Sequence, residues 1–134
     1  MNSQLTIQLL TTFADAVRNY LRYNTEYRQA RNPERKAALK YARATAYRIA
    51  QEANAALHTH LNAFKEPDFI RLQARELIAR WDARNTAFEN LSNSQNTGQW
   101  HEPPNEKIRR LDHTENRLRD QLRAVTEIIS KLSQ

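Results

Sequence analysis

The chain contains no cysteine, one glycine and four prolines among its 134 residues. The absence of cysteine excludes disulfides, thiolate metal ligands and a cysteine nucleophile. A β-sheet protein of this length would need many more turn-forming residues than Gly98 and the prolines provide. The scarcity of such residues therefore predicts a protein built from long helices.

Long apolar runs are also missing. No stretch approaches the ~18 consecutive apolar residues of a transmembrane helix, and the N-terminal residues lack the positive charge with which a signal peptide begins. Hydrophobic residues make up 40 % of the chain, but 18 of them are alanines, so large apolar side chains are few. We therefore expect a soluble cytoplasmic protein that forms one domain around a thin core.

Proline divides the chain into four expected helices, because it is tolerated in the first turn of a helix and disrupts the interior. The breaks fall at Pro33, at Pro67 and at the pair Pro103 and Pro104. Asn32 is expected to cap the second helix. The four helices are expected at residues 3–29, 33–64, 67–91 and 105–132, with a long polar loop at 92–104. This pattern predicts an all-α, single-domain, up-and-down four-helix bundle.

Apolar residues recur every three or four positions in each segment, which indicates one buried face per helix. In the first two helices these faces are Leu10, Phe13, Ala14, Val17, Tyr20 and Leu21, and Leu39, Ala42, Ala46, Ile49, Ala53, Leu57, Leu61 and Phe64. In the last two they are Ile70, Ala74, Leu77, Ile78, Trp81 and Phe88, and Ile108, Leu111, Leu118, Leu122, Val125, Ile129 and Leu132. The many alanines of the second helix predict a close contact with a neighbouring helix.

The excess positive charge lies in one segment. Residues 18–48 hold nine of the 21 Lys and Arg residues and only two carboxylates, so the segment carries +7, whereas the rest of the chain sums to −1. All five tyrosines lie in the same segment. Arginine together with tyrosine is typical of a surface that recognises nucleic acid or an acidic protein.

One flank of the second helix forms a line without any acidic residue: Lys36, Lys40, Arg43, Tyr47, Gln51, Asn54 and His58. The line suits phosphate contacts, with Tyr47 available to stack on a base, or it is an ordinary solvated flank. Tyr20, Tyr23 and Tyr27 either cover the edge of the core or form a contact platform. The residues expected to bind a partner are Arg22, Tyr23, Arg35, Lys36, Lys40, Arg43, Tyr47 and Arg48.

Two further features allow alternatives. Trp100, in the polar loop, is expected to cap one end of the bundle or, if exposed, to anchor a partner. The fourth helix carries carboxylates four residues before cations, as in Glu106–Arg110, Glu115–Arg119 and Glu127–Lys131, which is typical of a solvated, charge-paired helix. Its heptads could instead mediate homo-oligomerisation, in which case Glu115, at a core position, would specify the register.

Motifs for catalysis are missing. His58 and His60 are two residues apart and so point to different sides of a helix, and the sequence contains no Glu-x-x-His, no glycine-rich phosphate loop and no Gly-x-Ser-x-Gly. We therefore expect no enzyme, no metal and no cofactor. Two hypotheses remain. The first is an accessory module that binds nucleic acid or a nucleoprotein through helices one and two, with weak sequence specificity. The second is an adaptor, inhibitor or structural subunit that docks an acidic protein or self-assembles through helix four.

Overall fold

The computed structural model describes residues 2–63, 68–97 and 104–132, and these residues form four helices and no strand. The helices are α1 (Asn2–Gln29), α2 (Pro33–Asn62), α3 (Phe69–Thr97) and α4 (Pro104–Leu132). The all-α four-helix fold predicted from the prolines and the apolar periodicity is therefore confirmed. Within the described residues, none of the helices has an apolar stretch long enough to cross a membrane.

The start of α2 is set by the predicted cap. The side-chain oxygen of Asn32 accepts hydrogen bonds from the backbone amides of Glu34 and Arg35, at 2.9 and 3.1 Å. Pro33 follows at the first helical position, where its missing N–H costs no hydrogen bond. A similar cap begins α3, where Asp68 Oδ1 accepts from the amide of Arg71 at 2.8 Å. These local hydrogen bonds explain why α2 and α3 begin at these residues.

The third helix is longer than predicted. It continues through residues 92–97, which were expected to belong to the loop. Those six residues are polar but contain neither glycine nor proline, and polarity alone does not end a helix. The first strong helix breaker after Pro67 is Gly98. Trp100 and Phe64 lie outside the described residues, so the expectations for them stay predictions.

Consecutive helices run antiparallel, because residues late in one helix contact residues early in the next. The opposed pairs are Tyr20–Tyr47 and Asn24–Arg43 for α1 and α2, Gln51–Trp81 and Leu61–Arg75 for α2 and α3, and Gln73–Gln121 and Arg84–Glu115 for α3 and α4. The order is that of an up-and-down bundle. The pairs α1–α2 and α3–α4 form two long helical hairpins, which meet in one shared core.

One hydrophobic cluster contains residues from all four helices. The expected buried face of α1 is buried along its whole length, from Leu10 to Leu21. Trp81 of α3 lies at the centre, fully buried, with its ring 6.3 Å from that of Phe13 in an edge-to-face arrangement. Near the ends of α3 and α4 the apolar faces are less covered than predicted, since Phe88, Ile108 and Leu132 are 44 %, 44 % and 50 % exposed.

The buried face of α2 is rotated from the predicted one. Ala50 is completely buried, whereas Ile49, which was expected in the core, is 41 % exposed. The alanines explain the error, because they lie on several sides of this helix and give the apolar pattern little contrast. Ala46 and Leu57 are buried as predicted. The close contact of α2 with α1 therefore uses Ala46 and Ala50.

Replacing Ala50 with leucine tests this packing. Ala50 is completely buried and belongs to the shared core, so three additional carbon atoms would have to be forced into a packed interior. We expect the free energy of unfolding to fall by about 1–3 kcal/mol. Ala44 provides the matched control, because it lies on the same helix and is exposed. In urea titrations, equal midpoints for Ala50→Leu and Ala44→Leu would contradict the packing described.

Candidate functional site

Carboxylates neutralise many of the cations in this chain. Among the described residues of α3 and α4, Arg75, Arg109 and Arg117 form no ion pair with a described residue, whereas six Lys or Arg residues do: Arg71, Arg80, Arg84, Arg119, Arg123 and Lys131. The last of these is the predicted Glu127–Lys131 pair, with 3.3 Å between Nζ and Oε1. The predicted pair of Arg119 with Glu115 is also present, at 3.8 Å. Exposed pairs of this kind stabilise the fold little, but they cancel local charge.

The basic segment differs. Three of its nine cations have carboxylate partners, namely Arg18, Arg28 and Arg48. The other six form no ion pair with the described residues, and we call them the hairpin surface: Arg22, Arg31, Arg35, Lys36, Lys40 and Arg43. All except Arg43 are exposed. The hairpin of α1 and α2 therefore carries a concentration of uncompensated positive charge.

Tyr27 supports two members of the hairpin surface. The guanidinium carbon of Arg43 lies 4.2 Å from the centre of the Tyr27 ring, and Lys36 Nζ lies 5.0 Å from it. Arg43 also donates from Nη1 to Asn24 Oδ1 at 3.0 Å. Contacts with a ring and an amide orient these cations without neutralising them. Tyr27 therefore both packs at the edge of the hairpin and contributes to the basic face.

Two of the residues predicted to bind a partner have local contacts that the sequence did not indicate. Arg48 pairs with Glu52 at 3.1 Å, so its charge is largely compensated. Arg22 stacks on Tyr23, with 4.9 Å between its guanidinium carbon and the ring centre. The face of Tyr23 is therefore covered by a cation.

Tyr47 is half-buried and packs against the aromatic side chains of the core. Its ring centre lies 5.5 Å from that of Tyr20 and 5.7 Å from that of Trp81, and its hydroxyl accepts a hydrogen bond from Gln51 Nε2 at 3.1 Å. Burial raises the pKa of the Tyr47 phenol, with Tyr20 and Glu89 acting in the same direction. The hydroxyl is therefore neutral at physiological pH. This packing removes Tyr47 from the residues that we assign to a base-stacking role.

The acid-free line on α2 thus has distinct parts. Lys36 and Lys40 are exposed, whereas Tyr47, Gln51 and Asn54 contact α3. Gln51 Oε1 accepts from Trp81 Nε1 at 2.8 Å, and Asn54 donates to Asp82 Oδ1 at 3.2 Å. His58, at the far end, is exposed. The middle of the line therefore holds α2 against α3, and the two lysines are the charged part that remains available to a partner.

A buried polar centre was missed by the sequence analysis. Nε and Nη2 of Arg84 both lie 3.2 Å from Glu115 Oε1, and these two side chains are 1 % and 3 % exposed. Arg28 of α1 approaches the same carboxylate at 3.7 Å. Residues 77, 81, 84 and 88 are three or four positions apart and so share one face of a helix. This spacing could have placed Arg84 on the buried face of α3. The carboxylate at a core position of α4 therefore links three helices within one chain.

A groove of about 1130 Å³ lies between α1 and α4. Leu21 and Leu122 lie at its floor, and its rim carries five cations and two carboxylates: Arg18, Arg22, Arg119, Arg123, Lys131, Glu26 and Glu127. Four of these cations have carboxylate partners, and Arg22 has none among the described residues. The groove consequently presents mixed charge over aliphatic side chains, unlike the hairpin surface.

His58 and His60 make separate contacts. His60 shares a hydrogen bond of 2.7 Å with Thr6 of α1, and Nδ1 of His58 lies 3.3 Å from Asn62 Nδ2. Within the residues that the structure describes, no three His, Asp or Glu side chains are close enough to hold a metal ion together.

No match to the chain was found among protein-family models, curated proteins or solved structures.

Proposed function

We propose that this chain is a non-enzymatic accessory module that binds nucleic acid through the hairpin surface. The observation that carries the proposal is the distribution of ion pairs. Cations with carboxylate partners occur on all four helices, whereas six cations on one hairpin have none among the described residues. Nucleic acid supplies the missing negative charge as a row of phosphates. The proposal places the module in the cytoplasm, where nucleic acid is present.

The side chains on this surface determine the type of binding. Lysine and arginine contacts to phosphate position a protein on nucleic acid and carry no sequence information. Each neutralised phosphate releases counterions, so affinity falls steeply with salt, with a logarithmic slope of about −0.7 per contact on single strands and about −0.9 on duplex DNA. We therefore expect weak sequence specificity and a steep salt dependence.

Lys36 and Lys40 are the residues with which to test the proposal. We expect labelled oligonucleotides to bind at ~50 mM salt and to dissociate as salt rises, because the interaction is with phosphates. Replacing both lysines with alanine should reduce the magnitude of the logarithmic salt slope by about two, one for each lost contact. Fluorescence anisotropy over a series of salt concentrations measures this slope.

Lys131→Ala is the matched control, since Lys131 is an exposed lysine paired with Glu127 on α4. Its salt slope should equal that of the unmodified chain. The proposal fails if no oligonucleotide binds at ~50 mM salt. It also fails if the double variant and the control have the same slope.

The second candidate function is a protein-interaction module, and the α1–α4 groove favours it. Mixed charge over aliphatic side chains suits a protein segment better than a polyanion. Self-association through the heptads of α4 is less favoured, because Leu111, Leu118, Leu122 and Val125 are buried in the chain's own bundle. Partners that co-purify after nuclease treatment, and that are lost when Thr126 in the groove is replaced with arginine, would support this candidate over the first.

A further inference from the structure

A second, smaller pocket lies beside the hairpin surface and is formed by α1 and α2 alone. Its volume is about 310 Å³, and its lining includes Asn19, Tyr23, Tyr41, Thr45 and Ile49. It therefore combines two aromatic rings with an amide, a hydroxyl and an aliphatic side chain. Ala16 and Ala46, which belong to the shared core, also line the pocket, and Tyr23 packs against the edge of that core.

Tyr41 differs from the other four tyrosines. Tyr20 and Tyr47 pack on Trp81, and Tyr23 and Tyr27 each have a cation over the ring. Tyr41 is 77 % exposed, and in the described part of the chain its ring and hydroxyl have no partner. A large aromatic side chain held on a helix without an internal contact is free to stack on a ligand.

Two cations of the hairpin surface lie on the same side as the pocket. Arg35 is exposed and precedes the pocket-lining Ala42 by seven residues, which places both on one face of α2. On the α1 side, Arg22 stacks on Tyr23, which lines the pocket. An aromatic platform between cations is the arrangement by which proteins hold single strands, since the cations follow the phosphates and the ring stacks on a base.

We propose that this pocket accepts an unpaired base, so that the module prefers single-stranded over double-stranded nucleic acid. The base stacks on Tyr41, and Asn19 and Thr45 offer hydrogen-bond donors and acceptors to its edge. This inference rests on the proposed function, because the hairpin surface supplies most of the affinity. In a duplex the bases are already stacked, and exposing one requires unpairing it, which opposes binding.

Tyr41→Ala tests the pocket directly. We expect its affinity for a single-stranded oligonucleotide to fall about 5- to 150-fold, the equivalent of losing one stacked base. Affinity for a duplex of the same sequence should not change. Tyr41→Trp is the rescue variant, because it restores an aromatic face, and its single-strand affinity should equal or exceed that of the unmodified chain. Deoxyribose and ribose oligonucleotides are both titrated, and the same loss is expected on each because stacking involves the base.

The outcomes separate this inference from the proposed function. If Tyr41→Ala binds single strands as well as the unmodified chain does, the pocket does not hold a base and the inference is wrong. Equal losses on single strands and duplexes also overturn it. In either case the lysine variant Lys36→Ala/Lys40→Ala still reports on the hairpin surface. If the unmodified chain binds neither form of nucleic acid, the proposed function and the inference fall together.

Discussion

Replacing Glu115 with glutamine is expected to lower the free energy of unfolding by about 3–5 kcal/mol, the usual effect of removing one partner from a buried ion pair. Glutamine keeps the shape of the side chain and removes its charge. Arg84, which is 1 % exposed and lies 3.2 Å from Glu115, would then be a buried cation without a counter-ion. Arg28 would also lose its carboxylate partner, which is now 3.7 Å away. Urea denaturation measures the change.

The matched control is Glu127→Gln. Glu127 lies on the same helix, 3.3 Å from a cation four residues later, but it is 69 % exposed. We expect this substitution to cost less than about 1 kcal/mol, since water screens the exposed pair. If Glu115→Gln is no more destabilising than Glu127→Gln, the polar centre contributes nothing to folding.

A double substitution distinguishes the loss of the pair from the loss of one partner. Arg84→Met combined with Glu115→Leu removes both charges and fills the space with apolar side chains. We expect the double variant to be more stable than Glu115→Gln, because no charge is left buried and unpaired. The two single effects should therefore be strongly non-additive, as measured by a double-mutant cycle.

Trp81→Ala is expected to have an effect of similar size, about 3–5 kcal/mol. Trp81 is fully buried, and its ring contacts those of Phe13, Tyr20 and Tyr47. Alanine would leave a cavity at the point where α1, α2 and α3 meet. It would also leave the side-chain oxygen of Gln51 without its 2.8 Å hydrogen bond from the indole. A thermal or urea unfolding transition measures the loss.

Phe69→Ala provides the comparison, because Phe69 is on the same helix and is 61 % exposed. Its removal should change stability by no more than about 0.5 kcal/mol. Trp81→Phe is expected to lie between the two, since it keeps a ring in the core but loses the hydrogen bond to Gln51. A Trp81→Ala variant as stable as Phe69→Ala would mean that the aromatic cluster is not the centre of the core.

The helices and the face of α1 were predictable because both depend on local sequence. Proline and asparagine determine where α2 begins through bonds that span three residues. The alternation of large apolar and polar residues in α1 leaves only one side to bury. In α2 the contrast between large apolar and polar residues is weak, because alanines lie on several sides of the helix. Ile49 was therefore predicted to lie in the core, although it is 41 % exposed. The end of α3 was predicted at residue 91, too early, because residues 92–97 are polar. These residues contain no glycine or proline, so the helix continues through them.

The candidate site was predictable only as a region. The sequence analysis placed the excess charge on helices one and two and named Lys36, Lys40 and Arg43. It assigned base stacking to Tyr47, whose ring packs on Trp81, and it did not single out Tyr41. The rotation of α2 about its axis decides that Tyr47 packs against Trp81 and that Tyr41 is exposed. Periodicity defines that rotation poorly in a helix so rich in alanine.

By itself, the sequence determined the number of helices, their approximate bounds and the concentration of positive charge in residues 18–48. These are properties of short segments. Among the residues that the structure describes, the tertiary packing decided which cations have no carboxylate partner and which tyrosine has no partner. Arg28 and Arg84 meet Glu115 from two other helices. Such contacts depend on the packing of all four helices around one core, and no single segment contains that information.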